Sequence, residues 1–330
     1  DEAASPAPAM AAASAEDIAA SAASTDRHTA LLTSLRGPVQ APVGGVPRIL
    51  HRVFFLEGGW CSPSFKSIRA TFHESNPGWE EWIWGMDEVI ELFRQEGAAI
   101  DQLLGTTSCI NKNCSQLGSF SDYFMHLRPW IKRGDTVRYV LLFLFGGLFM
   151  DMDVECHKPV DSLISRAPVA LRNRCKNNWL SSRPGDGLWV HLLRLIATME
   201  NWLKHPAPVH TGEKQICTLA KNMSQQLGGK WGGKTCPFDG SAACGVCEDD
   251  SPPAAGAECS RRSSVFFVPT ATIDDFHCQA CAPPPEHVCT HRSFQSWRYK
   301  WQRDKTCPDV YVGAVHGESL VRRMREVLAE

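Results

Sequence analysis

The chain has 330 residues, of which 43% are hydrophobic and 21% are charged, and its formal net charge is −2. This length and composition predict a folded protein with one large domain or two modest ones. A charge this close to zero provides neither the basic surface typical of nucleic-acid binding nor a cationic face for anionic lipid. We therefore expect no nucleic-acid partner.

The first 45 residues are rich in Ala, Ser and Pro and contain few side chains that a core would bury. They predict a disordered stem, left after a signal or membrane anchor upstream was removed or omitted. An artificial start of the chain is the alternative. No sequence window has the roughly 18 to 20 apolar residues of a membrane span, and the longest apolar run, Tyr139–Met150, is interrupted by Gly146-Gly147.

The first predicted core strand is the β-branched and aromatic run Val46–Phe55. A Trp-rich stretch up to Trp84 follows the turn signal Asn76-Pro77-Gly78, and Met86–Gln95 has the apolar spacing of a helix. Residues 135–145 are apolar on nearly every face, as in a buried helix, and a short strand, Leu148–Met150, follows the two glycines. This order predicts an α/β sheet.

Two amphipathic helices are predicted farther on, one from Leu192 to Leu203 and one from Ile216 to Leu227. From about Gly228 to Cys307 the composition changes to Gly, Pro and Cys, with eight cysteines. This pattern predicts a loop-rich insert, placed at about residues 228–290, that depends on covalent cross-links.

The number of cysteines also indicates the compartment. Fourteen cysteines are an even and high number for a chain of this size, typical of an environment in which thiols oxidise. Asn113-Cys114-Ser115 and Asn222-Met223-Ser224 match the N-glycosylation acceptor pattern. Together these features predict a disulfide-bonded glycoprotein of the secretory-pathway lumen.

Asp151-Met152-Asp153 follows the short strand directly. Two carboxylates at a strand end, where the chain turns out of the sheet, can both reach one hard divalent cation. Ligands of open α/β sheets bind at the carboxyl ends of strands. This context favours a cation and diphosphate site over a solvated turn.

Asp135 and Arg138 lie three residues apart and so share one face of the predicted helix. If the Gly-Gly turn folds back, this face lies near the acid pair. Arg138 can then bind phosphate and Asp135 a sugar hydroxyl. An ordinary intrahelical ion pair is the alternative.

The central motif resembles the DXD-containing, sugar-binding region of glycosyltransferase family 32. Its elements here are Asp135-x-x-Arg138-Tyr139, Leu141, Gly146-Gly147-x-Phe149 and Asp151-x-Asp153-Val154. The resemblance extends over about residues 46–300 through Ile49–Phe54, Asn76–Glu80, Cys156–Asp161 and the closing segment Thr290–Trp297. Phe54 and Phe149 replace the family's usual Trp and Tyr, and both retain an aromatic face.

This resemblance implies a GT-A-like, Rossmann-type mixed sheet flanked by helices over residues 46–330, with the Cys-rich loop insertion. It implies a retaining transferase that moves a hexose from a nucleotide-sugar donor to a glycan or glycolipid acceptor, with Mn²⁺ or Mg²⁺ as cofactor. GDP-mannose is the favoured donor and a UDP-sugar the alternative. The Golgi is the favoured location, for a type II membrane protein, and secretion is the alternative.

The resemblance also implies roles for individual residues. Asp151 and Asp153 are expected to bind the metal, with His291 as a further metal or diphosphate contact, and Asp135 and Arg138 the donor sugar and phosphate. Donor binding is further assigned to Val53, Phe54, Tyr139, Asn178 and Trp297. Asn178 and Glu155 are the side chains considered for assistance to the transfer step.

Other functions remain open at this point. Cys244-x-x-Cys247 and Cys278-x-x-Cys281 could bind a structural zinc in a disulfide- or zinc-stabilised binding protein. A catalytically silent family member that acts as a scaffold is a second alternative. A glycoside hydrolase is disfavoured. Its two catalytic carboxylates must stand about 5 to 10 Å apart across the bond that is cleaved, and two carboxylates at one strand end are too close together for that.

Overall fold

The structure is a computed structural model. It describes residues 45–55, 64–104, 119–128, 130–164, 169–172, 176–198, 207, 211–226, 265–268, 273–275 and 287–292. Three predicted features lie outside these residues. They are the stem except for its last residue, the two Cys-x-x-Cys pairs considered for zinc, and Trp297. Among the described helices, none is both long enough and apolar enough to span a membrane.

The strands are β1 (Ile49–Val53), β2 (Glu80–Trp84), β3 (Gly147–Met150), β4 (Val154–Cys156), β5 (Val169–Arg172), β6 (Trp179–Ser182), β7 (Val265–Val268), β8 (Ile273–Asp275) and β9 (Cys289–His291). The helices are α1 (Ser64–Ser75), α2 (Met86–Leu104), α3 (Phe120–His126), α4 (Trp130–Phe145), α5 (Asp161–Ile164), α6 (Gly187–Thr198) and α7 (Glu213–Gln226). Helices and strands are interspersed along the described residues, as expected of an α/β protein.

The central sheet has the strand order β2-β1-β3-β6-β5-β7. β1 is parallel to both β2 and β3, and β7 is parallel to β5. β6 is antiparallel to both of its neighbours, β3 and β5. The predicted mixed α/β sheet flanked by helices is thus confirmed. The carboxyl ends of β1, β2 and β3 lie at the same edge of the sheet, which is where ligands of such sheets bind.

A second, smaller sheet has the order β4-β9-β8. β4 is antiparallel to β9, and Val154 pairs with His291, Glu155 with Thr290 and Cys156 with Cys289. A disulfide joins Cys156 to Cys289. This sheet begins immediately after the Asp-Met-Asp turn and therefore forms one wall beside it.

Apolar side chains cover both faces of the central sheet. One cluster packs α2, α3, α4, α6 and α7 against one face, and the other packs α1, α5 and β4 against the opposite face. Every residue of α4 from Lys132 to Phe145 is buried, because this helix lies between the sheet and α6. An all-round apolar helix is the expected sequence for that position.

The predicted elements are present with shifted ends. β1 is shorter than Val46–Phe55, α4 begins five residues before Asp135, and α6 begins five residues before Leu192. α1, α3, α5 and the strands β4, β5, β6 and β9 were not predicted. These strands have only three or four residues, too few for alternation of apolar and polar residues to be recognisable.

The loop-rich insert contains more regular structure than predicted. β7 and β8 lie within residues 228–290, and β7 forms the edge of the central sheet beside β5. Val265-Phe266-Phe267-Val268 has the composition of a strand, but the Gly, Pro and Cys content of the surrounding sequence obscured it.

Gly146 and Gly147 connect α4 directly to β3. Both have positive φ angles, 63° and 91°, which residues with a Cβ rarely adopt. A Cβ on Gly147 would lie 2.5 Å from the carbonyl oxygen of Ile49 in β1. The glycine therefore permits β1 and β3 to pair next to the turn that leads to Asp151.

Gly147→Ala should lower the free energy of unfolding by about 2–4 kcal/mol, through the positive φ and the contact with the Ile49 carbonyl. Urea denaturation would measure this. Gly187→Ala is the matched control, because a Cβ there meets nothing within 4 Å; it should be neutral or slightly stabilising. Equal effects of the two substitutions would contradict the proposed close approach of β1 and β3.

Candidate metal and donor site

Asp151 and Asp153 lie in a tight turn that leaves the carboxyl end of β3. The N–H of Asp151 donates to the carbonyl of Asn178 at 3.0 Å, and the N–H of Val154 donates to the carbonyl of Asp151 at 3.0 Å. Met152 between them is buried, while both acids are half-buried. The turn therefore presents two carboxylates at the edge of the central sheet.

His291 lies beside this turn. The pairing of β4 with β9 places His291 opposite Val154, and its Nε2 is 3.3 Å from Oδ1 of Asp153. One ligand atom each from Asp151, Asp153 and His291 lies within 4.8 Å of the others. Two carboxylate oxygens and an imidazole nitrogen at this spacing suit a divalent cation.

The electrostatics of the turn favour a cation as well. Burial raises the pKa of the Asp151 carboxyl, Arg138 opposes this effect, and the neighbouring Asp153 carboxylate reinforces it. The two acids therefore repel one another in surroundings that screen charge poorly. A divalent cation bound between them would remove that repulsion.

Asp135 and Arg138 form the intrahelical ion pair that was the alternative interpretation of their spacing, and Arg138 also lies beside the acid turn. Arg138 forms the intrahelical ion pair with Asp135, 3.0 Å from NH2 to Oδ1. Its NH1 is also 3.3 Å from Oδ1 of Asp151, and its guanidinium lies 4.6 Å from the centre of the Phe149 ring. The pair and the acid turn thus form one continuous row of charges.

Asp135 is held by two residues whose importance the sequence did not indicate clearly. Asn177 Nδ2 donates to Oδ1 of Asp135 at 2.9 Å, and Thr211 Oγ1 donates to Oδ2 at 3.1 Å. Burial raises the pKa of Asp135 to about 6, while Arg138 opposes the increase. The only sequence indication of these two residues was weak: they belong to the Asn177-Asn178 pair before β6 and the Thr211-Gly212 pair before α7.

The predicted donor-binding residues differ in their surroundings. Val53 is half-buried at the end of β1, and the buried Phe54 ring contacts Phe65 edge to face at 6.0 Å. Tyr139 is completely buried, stacks on Trp189 and donates its hydroxyl to the Thr211 carbonyl at 2.7 Å. Tyr139 therefore holds the backbone of Thr211, whose side chain binds Asp135.

Asn178 and Glu155, considered for assistance to transfer, both have structural contacts. The carbonyl of Asn178 accepts the Asp151 N–H, and its side chain is buried. Glu155 accepts two bonds from Arg292, from Nε at 2.7 Å and from NH2 at 2.6 Å. The Arg292 N–H in turn donates to the Asp153 carbonyl at 2.9 Å. Glu155 thus helps to fix β9 against the turn.

A buried charge network lies beneath the turn, and the sequence did not reveal it. Arg52 of β1 pairs with Glu81 of β2 at 2.8 Å, and both side chains are completely buried. Glu81 is also bound by Arg69 at 2.6 Å and by His73 at 3.1 Å, both from α1. Arg52 NH1 donates to the Asp151 carbonyl at 2.6 Å.

The family described as a glycosyltransferase sugar-binding region containing a DXD motif matches residues 66–170. The matched stretch contains Asp135, Arg138, Asp151 and Asp153. This stretch of the chain is therefore similar to the sugar-binding region of such glycosyltransferases. The family resemblance predicted from the sequence is confirmed. Three residues that contact the matched stretch lie after it in the chain: Asn177, Thr211 and His291.

Two further proteins are similar to the chain. Inositol phosphoceramide mannosyltransferase 1 of Schizosaccharomyces pombe (strain 972 / ATCC 24843) is 27% identical over 170 residues, 48% of this chain and 46% of that protein. The chain therefore matches less than half the length of this relative. The solved structure of the PaToxG glycosyltransferase has a TM-score of 0.39 and 12% identity, covering 64% of this chain and 80% of that one.

Within the sugar-binding region, the Asn-Pro turn has a structural role. Asn76 Oδ1 accepts the N–H of Val160 at 2.8 Å, and Trp79 Nε1 donates to Asp161 at 3.2 Å. These bonds join the turn before β2 to the segment after β4. Residues of the Asn-Pro turn, which are distant from Asp151 and Asp153, therefore hold the start of β2 against the segment that follows β4.

The Cys156–Cys289 disulfide should contribute to both stability and metal binding. It closes a loop of 133 residues, so the double variant Cys156→Ala/Cys289→Ala should lower the free energy of unfolding by about 3–5 kcal/mol. Because the disulfide fixes β9, the double variant should also bind Mn²⁺ more weakly, since His291 lies in that strand. Urea denaturation and calorimetric titration of Mn²⁺ test this; parent values in both would contradict it.

Glu81 should make stability depend on pH. Burial opposes ionisation of Glu81, but the His73 hydrogen bond and the charges of Arg52 and Arg69 prevail and lower its pKa from 4.5 to about 2. Since the folded-state pKa is below the unfolded-state value, this stabilisation is complete above about pH 5 and is lost as the pH falls towards about 2. Glu81→Gln should therefore reduce the acid-induced loss of stability.

Urea denaturation between pH 7 and pH 2 measures this dependence. At pH 7 Glu81→Gln should cost about 3–5 kcal/mol, as expected when one partner of a buried ion pair is removed. Glu91→Gln is the control, because its partner Arg94 is exposed and such pairs contribute about 0–1 kcal/mol. An unchanged pH profile for Glu81→Gln would show that Glu81 does not cause the dependence.

Proposed function

We propose that the chain is a metal-dependent retaining glycosyltransferase that moves a hexose from a nucleotide-sugar donor to a hydroxyl of a glycan or glycolipid. The observation that carries the proposal is the row of charges formed by Asp135, Arg138 and Asp151, next to the ligand set of Asp151, Asp153 and His291. A donor with a sugar, two phosphates and a bound cation needs these groups in this order.

The cation would be held by Asp151, Asp153 and His291. The mixed oxygen and nitrogen ligand set favours Mn²⁺, since Mg²⁺ usually takes oxygen ligands alone. When bound, such a cation neutralises charge on the diphosphate as it leaves. The half-buried positions of all three side chains support access by a solvated ion and donor.

Asp135 would accept a hydrogen bond from a donor-sugar hydroxyl. Asn177 and Thr211 already fix its carboxylate, so little ordering remains to be done when the sugar binds. Arg138, held between Asp135 and Asp151, would provide positive charge next to the phosphate joined to the sugar.

The remaining donor contacts follow from the same strand ends. Val53 is the last residue of β1 and Phe54 follows it, at the edge of the sheet where the turn lies, and both would contact the base. Asn178 would line the sugar side through its position next to Asp151. Tyr139 would act indirectly, by holding Thr211, and Trp297 would complete the site from outside the described residues.

Transfer with retention would proceed on one face of the sugar. The acceptor oxygen forms a bond to the anomeric carbon as the bond from that carbon to the phosphate oxygen breaks. The acceptor proton passes to the departing phosphate oxygen, so that no enzymic nucleophile is required. The pairing of Glu155 with Arg292 supports this scheme, because it engages that carboxylate structurally.

Mannose is the proposed sugar and GDP-mannose the proposed donor, with a UDP-sugar as the alternative. The similarity to a protein named inositol phosphoceramide mannosyltransferase supports mannose and a glycolipid acceptor. The Cys156–Cys289 disulfide supports an oxidising compartment, and we propose the secretory-pathway lumen, with the Golgi favoured and a membrane anchor upstream of this chain.

Donor hydrolysis and transfer should be measured with GDP- and UDP-sugars in the presence of Mn²⁺. We expect metal-dependent release from GDP-mannose. Asp151→Asn and Asp153→Asn should each lower kcat/KM by about 100-fold or more, because charge on the leaving diphosphate is no longer stabilised. Chelation should abolish the activity and added Mn²⁺ should restore it.

Asp87→Asn is the matched control, since it neutralises an exposed carboxylate in the first turn of α2. Its kcat/KM should equal that of the parent. If the folded parent released no nucleotide from any donor, a catalytically silent scaffold would be the better interpretation. Release from a UDP-sugar alone would correct the donor but retain the enzyme class.

A further inference from the structure

We propose that Arg52 is a positioning residue that fixes the geometry of Asp151 and Asp153 for the cation. This inference rests on the proposed function, in which these acids hold Mn²⁺. Arg52 lies in β1, outside the matched sugar-binding region, and its side chain is completely buried. It does not reach the donor; it acts through the backbone of the turn.

The contact that carries the inference is a hydrogen bond of 2.6 Å from Arg52 NH1 to the carbonyl of Asp151. The same carbonyl accepts the N–H of Val154, which closes the turn. The peptide between Asp151 and Met152 is thereby fixed in orientation. Since both carboxylates leave this short turn, its orientation determines where their oxygens meet a cation.

Two further bonds to the turn come from residues next to β6 and β9. The N–H of Asp151 donates to Asn178 next to β6, and the carbonyl of Asp153 accepts from Arg292 after β9. Arg52 supplies a contact from β1, and its guanidinium is also 3.5 Å from the Val154 carbonyl. The turn is thus held from three different strands of two sheets.

Only a guanidinium suits the position of Arg52. Its Nε pairs with Glu81 Oε1 at 2.8 Å while NH1 reaches the turn, and the planar group fixes the angle between these two bonds. Arg69 and His73 hold the other oxygen of Glu81. An ammonium at residue 52 has a single nitrogen and cannot make both bonds in the same directions.

Stability alone does not account for this network. Burying charges removes them from water, and well-packed apolar residues often stabilise a protein as well as a buried ion pair does. What apolar residues lack is a directed hydrogen bond to the Asp151 carbonyl. Groups that orient metal ligands from behind typically change metal affinity by about 10- to 100-fold when replaced.

The test is Mn²⁺ binding to the full chain, measured by calorimetry and by electron paramagnetic resonance of the free ion, without any donor. Arg52→Lys should raise the Kd for Mn²⁺ by about 10-fold or more. Hydrogen exchange supplies a readout independent of the metal: the Val154 amide, which closes the turn, should exchange faster in the metal-free variant. Glu81→Asp, which keeps Arg52 but moves its partner, should give a smaller change in the same direction.

Leu192→Ala is the control for general destabilisation, because Leu192 is fully buried in α6, in the core cluster on the other face of the sheet. It should unfold at lower urea concentration yet bind Mn²⁺ as the parent does. If Arg52→Lys proves unfolded, Glu81→Asp provides the decision. Parent-like Kd and Val154 exchange in a folded variant at either position would overturn the positioning role.

A failure of the proposed function can be distinguished from a failure of the positioning role. If the parent binds no Mn²⁺, or if Asp151→Asn binds it as tightly as the parent, the metal site itself is refuted. If the parent binds Mn²⁺ and Asp151→Asn does not, the Arg52 result judges the positioning role alone. Equal weakening by Arg52→Lys and Leu192→Ala would show that loss of stability is the cause.

Discussion

Two arginines lie against the Asp151-Met152-Asp153 turn, and the rest of the site depends on the charge that they place there. Arg138 ion-pairs with the side chain of Asp151, and Arg52 binds its carbonyl. Carboxylates that crowd together repel one another, and burial increases the cost. The two cations offset that repulsion from different sides, while both carboxylates remain half-buried.

Each arginine is itself held by acids, so the positive charges are fixed in space. Arg138 is bound by Asp135, whose carboxylate is fixed by Asn177 and Thr211. Arg52 is bound by Glu81, which α1 also contacts. Preorganised charges of this kind need little rearrangement when charge develops in a reaction. The two networks differ in exposure, since Arg52 and Glu81 are completely buried while Arg138 reaches the half-buried Asp151.

The small second sheet adds a component that the central sheet cannot provide. β4 continues directly from the turn, and β9 pairs with it so that His291 lies next to Asp153. The disulfide and the Glu155–Arg292 ion pair hold β9 there. A residue separated from Asp153 by more than one hundred positions therefore becomes its neighbour.

The sequence by itself determined the α/β class, the buried helix before the Gly-Gly turn, the short strand after it, and the acid pair at the strand end, because these depend on local periodicity and on residues close together in the chain. The sequence also indicated that Asp135 and Arg138 share a helix face, since three residues nearly complete one turn. The tertiary structure alone decided that Arg138 reaches Asp151, that Asn177 and Thr211 hold Asp135, and that Arg52 and Glu81 lie beneath the turn. These contacts join residues that are 13 to 99 positions apart in the chain. No local sequence pattern predicts such contacts, because strand order and register bring these side chains together.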